Sequence, residues 1–393
     1  MTPASQLLRR PEERLDSVGP AVRQHGVRST APGPGISLSI AMLAPPWMSV
    51  PTPGYGGVEA VVSVLTEVLV SRGHEVTLFC APGSQSTANV VSLLDSTHPD
   101  EIERSLYEVD HVARAFAAID AASTTGRGFD IVHDHCGFAA LAMADRLSTP
   151  VLHTLHGPFT LETSAFYAHH AHKAFVAGIS KAQLASGPVN LKSVGAIPNP
   201  IDVDAWPFRE QKDGYLLWIG RMTPEKGPHR AIAVAQRAGI PLVLAGIVPP
   251  AEQPFFDEQV APHIDGERVS FVGEVGGVRK MELFARAKAL LMPIRWPEPF
   301  GMVMIEALVC GTPVLAFREG AALELVTHGE TGFLVNDNSE MVDAIGSVHQ
   351  IGAQKCRNWV ARHCDVKVVA AAYERAYLHV LEASVTKRAV ALV

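Results

Sequence analysis

Tyr215-Leu216-Leu217-Trp218-Ile219-Gly220-Arg221-Met222-Thr223-Pro224-Glu225-Lys226-Gly227 begins as an apolar run and breaks into a loop that carries an arginine and a lysine between glycines. A continuous apolar run closed by glycine fits a strand buried on both faces, the habit of parallel sheets. Ligands of such sheets bind beyond the carboxyl ends of the strands, so cations at that point stand ready for an anion. The unit of strand, loop and helix recurs on both sides of this stretch. Upstream, residues 36–43 read as a strand, followed by a Pro- and Gly-rich loop to Gly57 and a helical pattern over 58–71. Further strands are predicted at 76–80, 131–135, 151–155, 175–179 and 194–197, most of them separated by helix-length segments. After the turn-rich Pro198-Asn199-Pro200 and Trp206-Pro207 a second series follows, with strands at 215–219, 242–245, 269–272, 289–293 and 313–316. Alternation of this kind implies parallel sheets covered by helices on both faces. The expected fold is α/β: two tandem Rossmann-like, doubly wound parallel-sheet domains facing each other across a cleft. Their expected spans are 36–200 and 201–365, with a C-terminal helical segment over 366–393 that packs back on the first domain.

Length agrees with two domains, since 393 residues exceed one ordinary core. Residues 1–35, with Pro3, Pro11, Pro20, Pro32 and Pro34 and no apolar period, read as a disordered lead-in dispensable for activity. A net charge of −7 argues against a general nucleic-acid binder, so anionic ligands must be held by local groups. Cys80, Cys136, Cys310, Cys356 and Cys364 include no CxxC pair and are expected to be reduced thiols of a cytoplasmic protein. No apolar run of about 18 residues and no basic-then-apolar leader is present, so membrane insertion and secretion are not expected.

A second chemical stretch is Arg295-Trp-Pro-Glu298-Pro-Phe300-Gly301-Met302-Val-Met-Ile-Glu306, in which a Pro- and Gly-shaped loop leads into a helix starting near Gly301. The N–H groups at such a start offer a phosphate its ligands. At 1.5 Å per residue Glu306 then lies about 7–8 Å along the helix, the step from phosphate to ribose, while Glu298 faces the other way, toward a sugar. Taken alone, the two cations read equally well as a solvated turn, and the two glutamates as a dipole partner and a surface group. Seven histidines fall in one stretch: His133, His135, His153, His156, His169, His170 and His172. A metal site is disfavoured because no further ligand of recognisable spacing follows, which leaves core or acceptor-lining histidines.

The bland readings give way to the order of motifs along the chain. Gly56-Gly57-Val58-Glu59, His156-Gly157, Ile197-Pro-Asn-Pro-Ile-Asp202, Gly220-Arg221 with Lys226-Gly227, Phe271-Val-Gly-Glu-Val275, Glu298 with Glu306, Gly311-Thr-Pro-Val and Gly329-Glu-Thr-Gly-Phe-Leu-Val335 together resemble the retaining GT-B glycosyltransferases of family 4. Pro200 departs from the glycine usual there. The resemblance implies that Gly57 donates its N–H to the donor phosphate, that Arg221 and Lys226 clamp the diphosphate, and that Phe300, Gly301 and Met302 line the helix start. It further implies Glu306 on the ribose, Glu298 on the sugar hydroxyls, His156 near the anomeric carbon, and the backbone around Val275 at the base. The implied reaction moves a sugar from a nucleoside diphosphate sugar, UDP ahead of GDP or ADP, to an acceptor hydroxyl with retention and without a metal. The acceptor is expected to be a soluble small molecule or saccharide. A phosphorylase, a sucrose-synthase-like enzyme, a nucleotide-sugar epimerase or a silent sugar-binding protein are the alternatives. A nicotinamide enzyme is not, because the glycines of Gly54-Tyr55-Gly56-Gly57 come about ten residues after the strand and Cys80, not an acidic residue, ends the next one.

Overall fold

The computed structural model describes residues 37–391 except 53, 55, 103 and 104; the expected lead-in over 1–35 and Tyr55 lie outside the described residues. Among the described residues the strands form two all-parallel sheets, one of seven strands in the order β3-β2-β1-β4-β5-β6-β7 and one of six in the order β10-β9-β8-β11-β12-β13. The first comprises β1 (Ser39–Leu43), β2 (Glu75–Cys80), β3 (Asn89–Ser92), β4 (Ile131–Asp134), β5 (Val151–Thr154), β6 (Phe175–Gly178) and β7 (Ser193–Ala196). The second comprises β8 (Leu216–Ile219), β9 (Leu242–Ala245), β10 (Val269–Phe271), β11 (Ala289–Met292), β12 (Val314–Phe317) and β13 (Gly332–Val335). The central strands β4, β5, β8, β9, β11 and β12 are buried along their whole length, as apolar runs covered by helices on both faces must be. The structure thus has the two facing α/β halves expected.

Two strands were not expected, β3 and β13, and both are edges of their sheets. β3 is exposed at both ends and half-buried between, so Asn89-Val-Val-Ser92 shows no sustained apolar run.

Five helices bear on the site: α1 (Gly57–Ser71), α2 (Pro228–Ala238), α3 (Gly277–Arg286), α4 (Met302–Val309) and α5 (Val366–Ala391). Helix α5 belongs in space to the first half. Its residues Val369, Ala370, Tyr373, Ala376, Tyr377 and Val380 repeat at helical spacing and sit in one core cluster with Ile40, Leu65, Leu69 and Leu152. At the helix's flank Glu374 pairs with Arg72 at 2.6 Å and meets His74 Nε2 at 3.1 Å. The chain passes between the halves twice, and the two passages are joined: the Ile201 N–H donates to Cys364 O at 2.9 Å and the Val366 N–H to Ile201 O at 3.0 Å.

Candidate active site

The carboxyl ends of the two sheets face each other across a cleft of about 560 Å³. Its second-half wall is built largely by three strand ends, with Val275 beyond a fourth, β10. β8 runs into Gly220 and Arg221, β9 into Gly246, and β11 into the loop carrying Trp296 and Glu298. The first two loops pack backbone on backbone: Gly246 has φ +137°, and a Cβ there would lie 1.8 Å from the Gly220 carbonyl oxygen, so only glycine fits. Arg230, on α2, stitches the outer loops together, donating from Nε to Pro293 O at 2.6 Å and from Nη2 to Glu225 O at 2.9 Å. This frame fixes where Lys226 and Glu298 can reach.

The two meet. Lys226 Nζ donates to Glu298 Oε2, Trp296 Nε1 donates to the same oxygen at 2.8 Å, and Nζ stands 4.6 Å from the Trp296 ring centroid. Helix α4 begins beside them, with Gly301 at φ +88° ahead of Met302, so the α4 N-terminus opens onto the cleft between Phe300 and Val303. Glu306 lies within α4 and is almost fully buried; its Oε1 accepts from Lys280 Nζ of α3 at 2.6 Å. Two buried polar atoms of the wall have no hydrogen-bond partner among the described residues, Arg221 Nε and Glu306 Oε2. One is a cation's donor and the other a carboxylate's acceptor. Buried polar groups left in that state are expensive in isolation and point to a ligand that satisfies both.

The first-half wall presents the start of α1 and a row of histidines. A side chain added at Gly57 would meet nothing within 4 Å, so its backbone is open to the cleft. Glu59 in the first turn of α1 is buried, and burial pushes its carboxyl up to about 7. His156 Nε2 lies 2.8 Å from His135 Nδ1. Burial, and next the charge His153 would carry, push His156 down to about 3, and burial among the other histidines holds His135 well below the usual imidazole range. The pair is therefore neutral, one ring donating to the other. Deeper in, His133 bonds Tyr377 Oη at 2.7 Å and Thr154 Oγ1 at 2.8 Å, and His153 bonds Asp134 and Tyr167.

All ten residues expected at the site line this one cleft: Gly57, His156, Arg221, Lys226, Val275, Glu298, Phe300, Gly301, Met302 and Glu306. Of the other histidines, His133, His135 and His153 are buried, His135 also lining the cleft, but His169 and His172 are exposed near the end of a surface helix and belong to neither group. Among the described residues no group of three or more His, Cys, Asp or Glu is placed to hold a metal, and no helix is long and apolar enough to cross a membrane. Sequence reasoning missed Lys280, whose partner is 26 residues away on another helix, and Trp296, whose indole N–H shares a Glu298 oxygen with Lys226.

Two facing doubly wound halves, with cations, carboxylates and an open helix start converging on the cleft between them, define the GT-B class of transferase. The family described as Glycosyl transferases group 1 matches residues 203–363, and that described as Glycosyltransferase Family 4 matches residues 55–205. The chain belongs to these glycosyltransferases. It is 29% identical over 286 residues to a glycogen synthase of Mycobacterium tuberculosis, covering 63% of this chain and 68% of that protein. A solved glycosyltransferase involved in avilamycin A biosynthesis is 26% identical, with a TM-score of 0.67 over 88% of this chain and 98% of that one. The Anabaena protein HepE, solved in complex with UDP and glucose, shares the fold at 20% identity, with a TM-score of 0.63 over 86% of this chain and 99% of that one.

Proposed function

We propose that this glycosyltransferase moves a sugar from a nucleoside diphosphate sugar, a UDP-sugar ahead of GDP- or ADP-sugars, to an acceptor hydroxyl with retention at the anomeric carbon. The observation that carries the reading is the pair of orphaned buried atoms, Arg221 Nε and Glu306 Oε2, in the wall where α4 begins. A diphosphate supplies acceptors for the first and a ribose hydroxyl supplies a donor for the second. HepE, which shares the fold, is named as binding UDP and glucose.

In this reading Arg221, Lys226, the Gly57 N–H and the N–H groups from Gly301 and Met302 hold the diphosphate. The backbone at Val275 and the side of Phe300 bound the nucleotide. Lys226 and Glu298 part when the donor enters, Lys226 turning to phosphate and Glu298 to the sugar hydroxyls. His156, kept neutral, presents an imidazole toward the anomeric carbon. The bond from that carbon to the diphosphate oxygen breaks while the acceptor oxygen forms its bond from the same face, and the acceptor's proton passes to the departing diphosphate. Arg221, Lys226 and the helix start meet the charge that grows there, so no metal is required. The acceptor is a soluble saccharide or small molecule, in keeping with the relative named glycogen synthase.

Transfer and hydrolysis measured with UDP-, GDP- and ADP-sugars, with the product anomer assigned by nuclear magnetic resonance, tests the reading. One nucleotide series turned over with the donor's anomeric configuration kept is expected. An inverted product, or no nucleotide bound, overturns it.

A further inference from the structure

The Lys280–Glu306 ion pair joins two helices of the cleft wall. Lys280 stands in the first turn of α3, and Glu306 is the fifth residue of α4. Both side chains line the cleft, with the Glu306 side chain 8% exposed and that of Lys280 27%. A glutamate's last torsion is broad, so an unheld carboxylate turns freely about it. Here one oxygen is fixed by an N–H···O contact of 2.6 Å, and the other is left buried and without a partner. A fixed Oε1 fixes Oε2. The same contact sets an ammonium against a carboxylate that burial alone would penalise.

We infer that Lys280 is a positioning residue for donor recognition: by gripping Oε1 it presents Oε2 as the acceptor for a ribose hydroxyl. The inference rests on the assignment of Glu306 to the ribose. Lys280 then governs how tightly the nucleotide is held and how sharply its hydroxyls are read, while the reacting carbon, held by other groups, is untouched.

Calorimetry on the full chain with UDP and with 2′,3′-dideoxy-UDP separates this role from a merely structural one. Lys280→Met, close in shape, is expected to weaken UDP binding by about tenfold to a hundredfold, the worth of a hydrogen bond to a charged group. Dideoxy-UDP, with no hydroxyl for Oε2, should bind the variant and the parent alike, so the discrimination between the two ligands collapses. Lys280→Arg should restore most of that discrimination, and Lys280→Met combined with Glu306→Gln should bind UDP no worse than Glu306→Gln alone. KM for the sugar donor should rise in Lys280→Met while kcat at saturation holds. Equal losses for both ligands, or an unchanged ratio in a folded Lys280→Met protein, would overturn the inference. A parent chain that bound none of UDP, GDP and ADP would instead remove the nucleotide reading on which the inference stands.

Discussion

Replacing Lys226 by alanine should slow sugar transfer by about 10²–10³ and leave the affinity for free UDP within about tenfold. The asymmetry follows from what Lys226 already holds. Its ammonium pairs with Glu298 and lies over the Trp296 ring, with the two charged side chains only 17% and 12% exposed. A bound diphosphate must draw the ammonium away from that pair and from a cation–π contact worth about 0.5–2 kcal/mol, so the net gain from Lys226 in the ground state is small. The extra charge on a departing diphosphate has no such competitor. A preorganised donor at such a point is worth about 3–4 kcal/mol in the transition state. The cost to the resting protein is separate: Glu298 keeps only the Trp296 N–H, and about 1–3 kcal/mol of stability should be lost. Steady-state rates with the sugar donor, calorimetry with UDP and a thermal melt read the three quantities independently. A hundredfold loss of UDP affinity with kcat intact would refute the division of labour.

Glu298→Ala should spare UDP affinity and impair use of the intact donor, whereas Glu306→Ala should weaken UDP binding; the reverse pattern in the same two assays would turn the site map around. Tyr377→Phe leaves His133 Nδ1 buried without its 2.7 Å partner and should cost about 1–3 kcal/mol in chemical denaturation, and an unchanged midpoint would deny that contact any weight. Glu59 has a folded pKa raised to about 7, so its contribution to stability is present below the ordinary carboxyl range and lost as pH rises through 7. Glu59→Gln should therefore be more stable than the parent at pH 8, by up to about 3 kcal/mol in chemical denaturation, with the gain shrinking toward pH 5; a gain equal at both would contradict the raised pKa. Activity should survive exhaustive chelation, and a loss restored by one divalent ion would contradict the cationic clamp.

The central strands were legible because burial on both faces leaves no choice of residue: Leu242-Val-Leu-Ala245 is read from its composition and found at those bounds. Of the four edge strands β7 and β10 were read and β3 and β13 were not, and β3 has solvent at both ends where the pattern would need apolar residues. At the site, Arg221, Lys226 and Glu298 were legible because each follows a strand end, and Glu306 because it lies one turn inside the helix that starts there, but Lys280 was not. Which of them touch was not legible either. Lys226 and Glu298 are 72 residues apart and meet where Arg230 ties their two loops together. The histidines show the limit from the other side. Clustering in sequence suggested that these histidines all belong to the core or line the acceptor side, but His133, His135 and His153 lie on or just past two adjacent strands, while His169 and His172 lie at and just past the end of a helix that turns them outward.

That α5 completes the core of the first half has a consequence for how the protein is made. A ribosome delivers the chain from its N-terminus at about 5–20 residues per second, and a domain folds as a unit once all of its sequence has emerged. The six-stranded sheet lies wholly within the chain before α5, so it can close first. The seven-stranded sheet, translated earlier, must wait with Leu65, Leu69 and Leu152 uncovered until Tyr373 and Tyr377 arrive. The half that is synthesised first is thus the half that finishes last, and a message cut short of α5 would release a sealed C-terminal half tethered to an open N-terminal one.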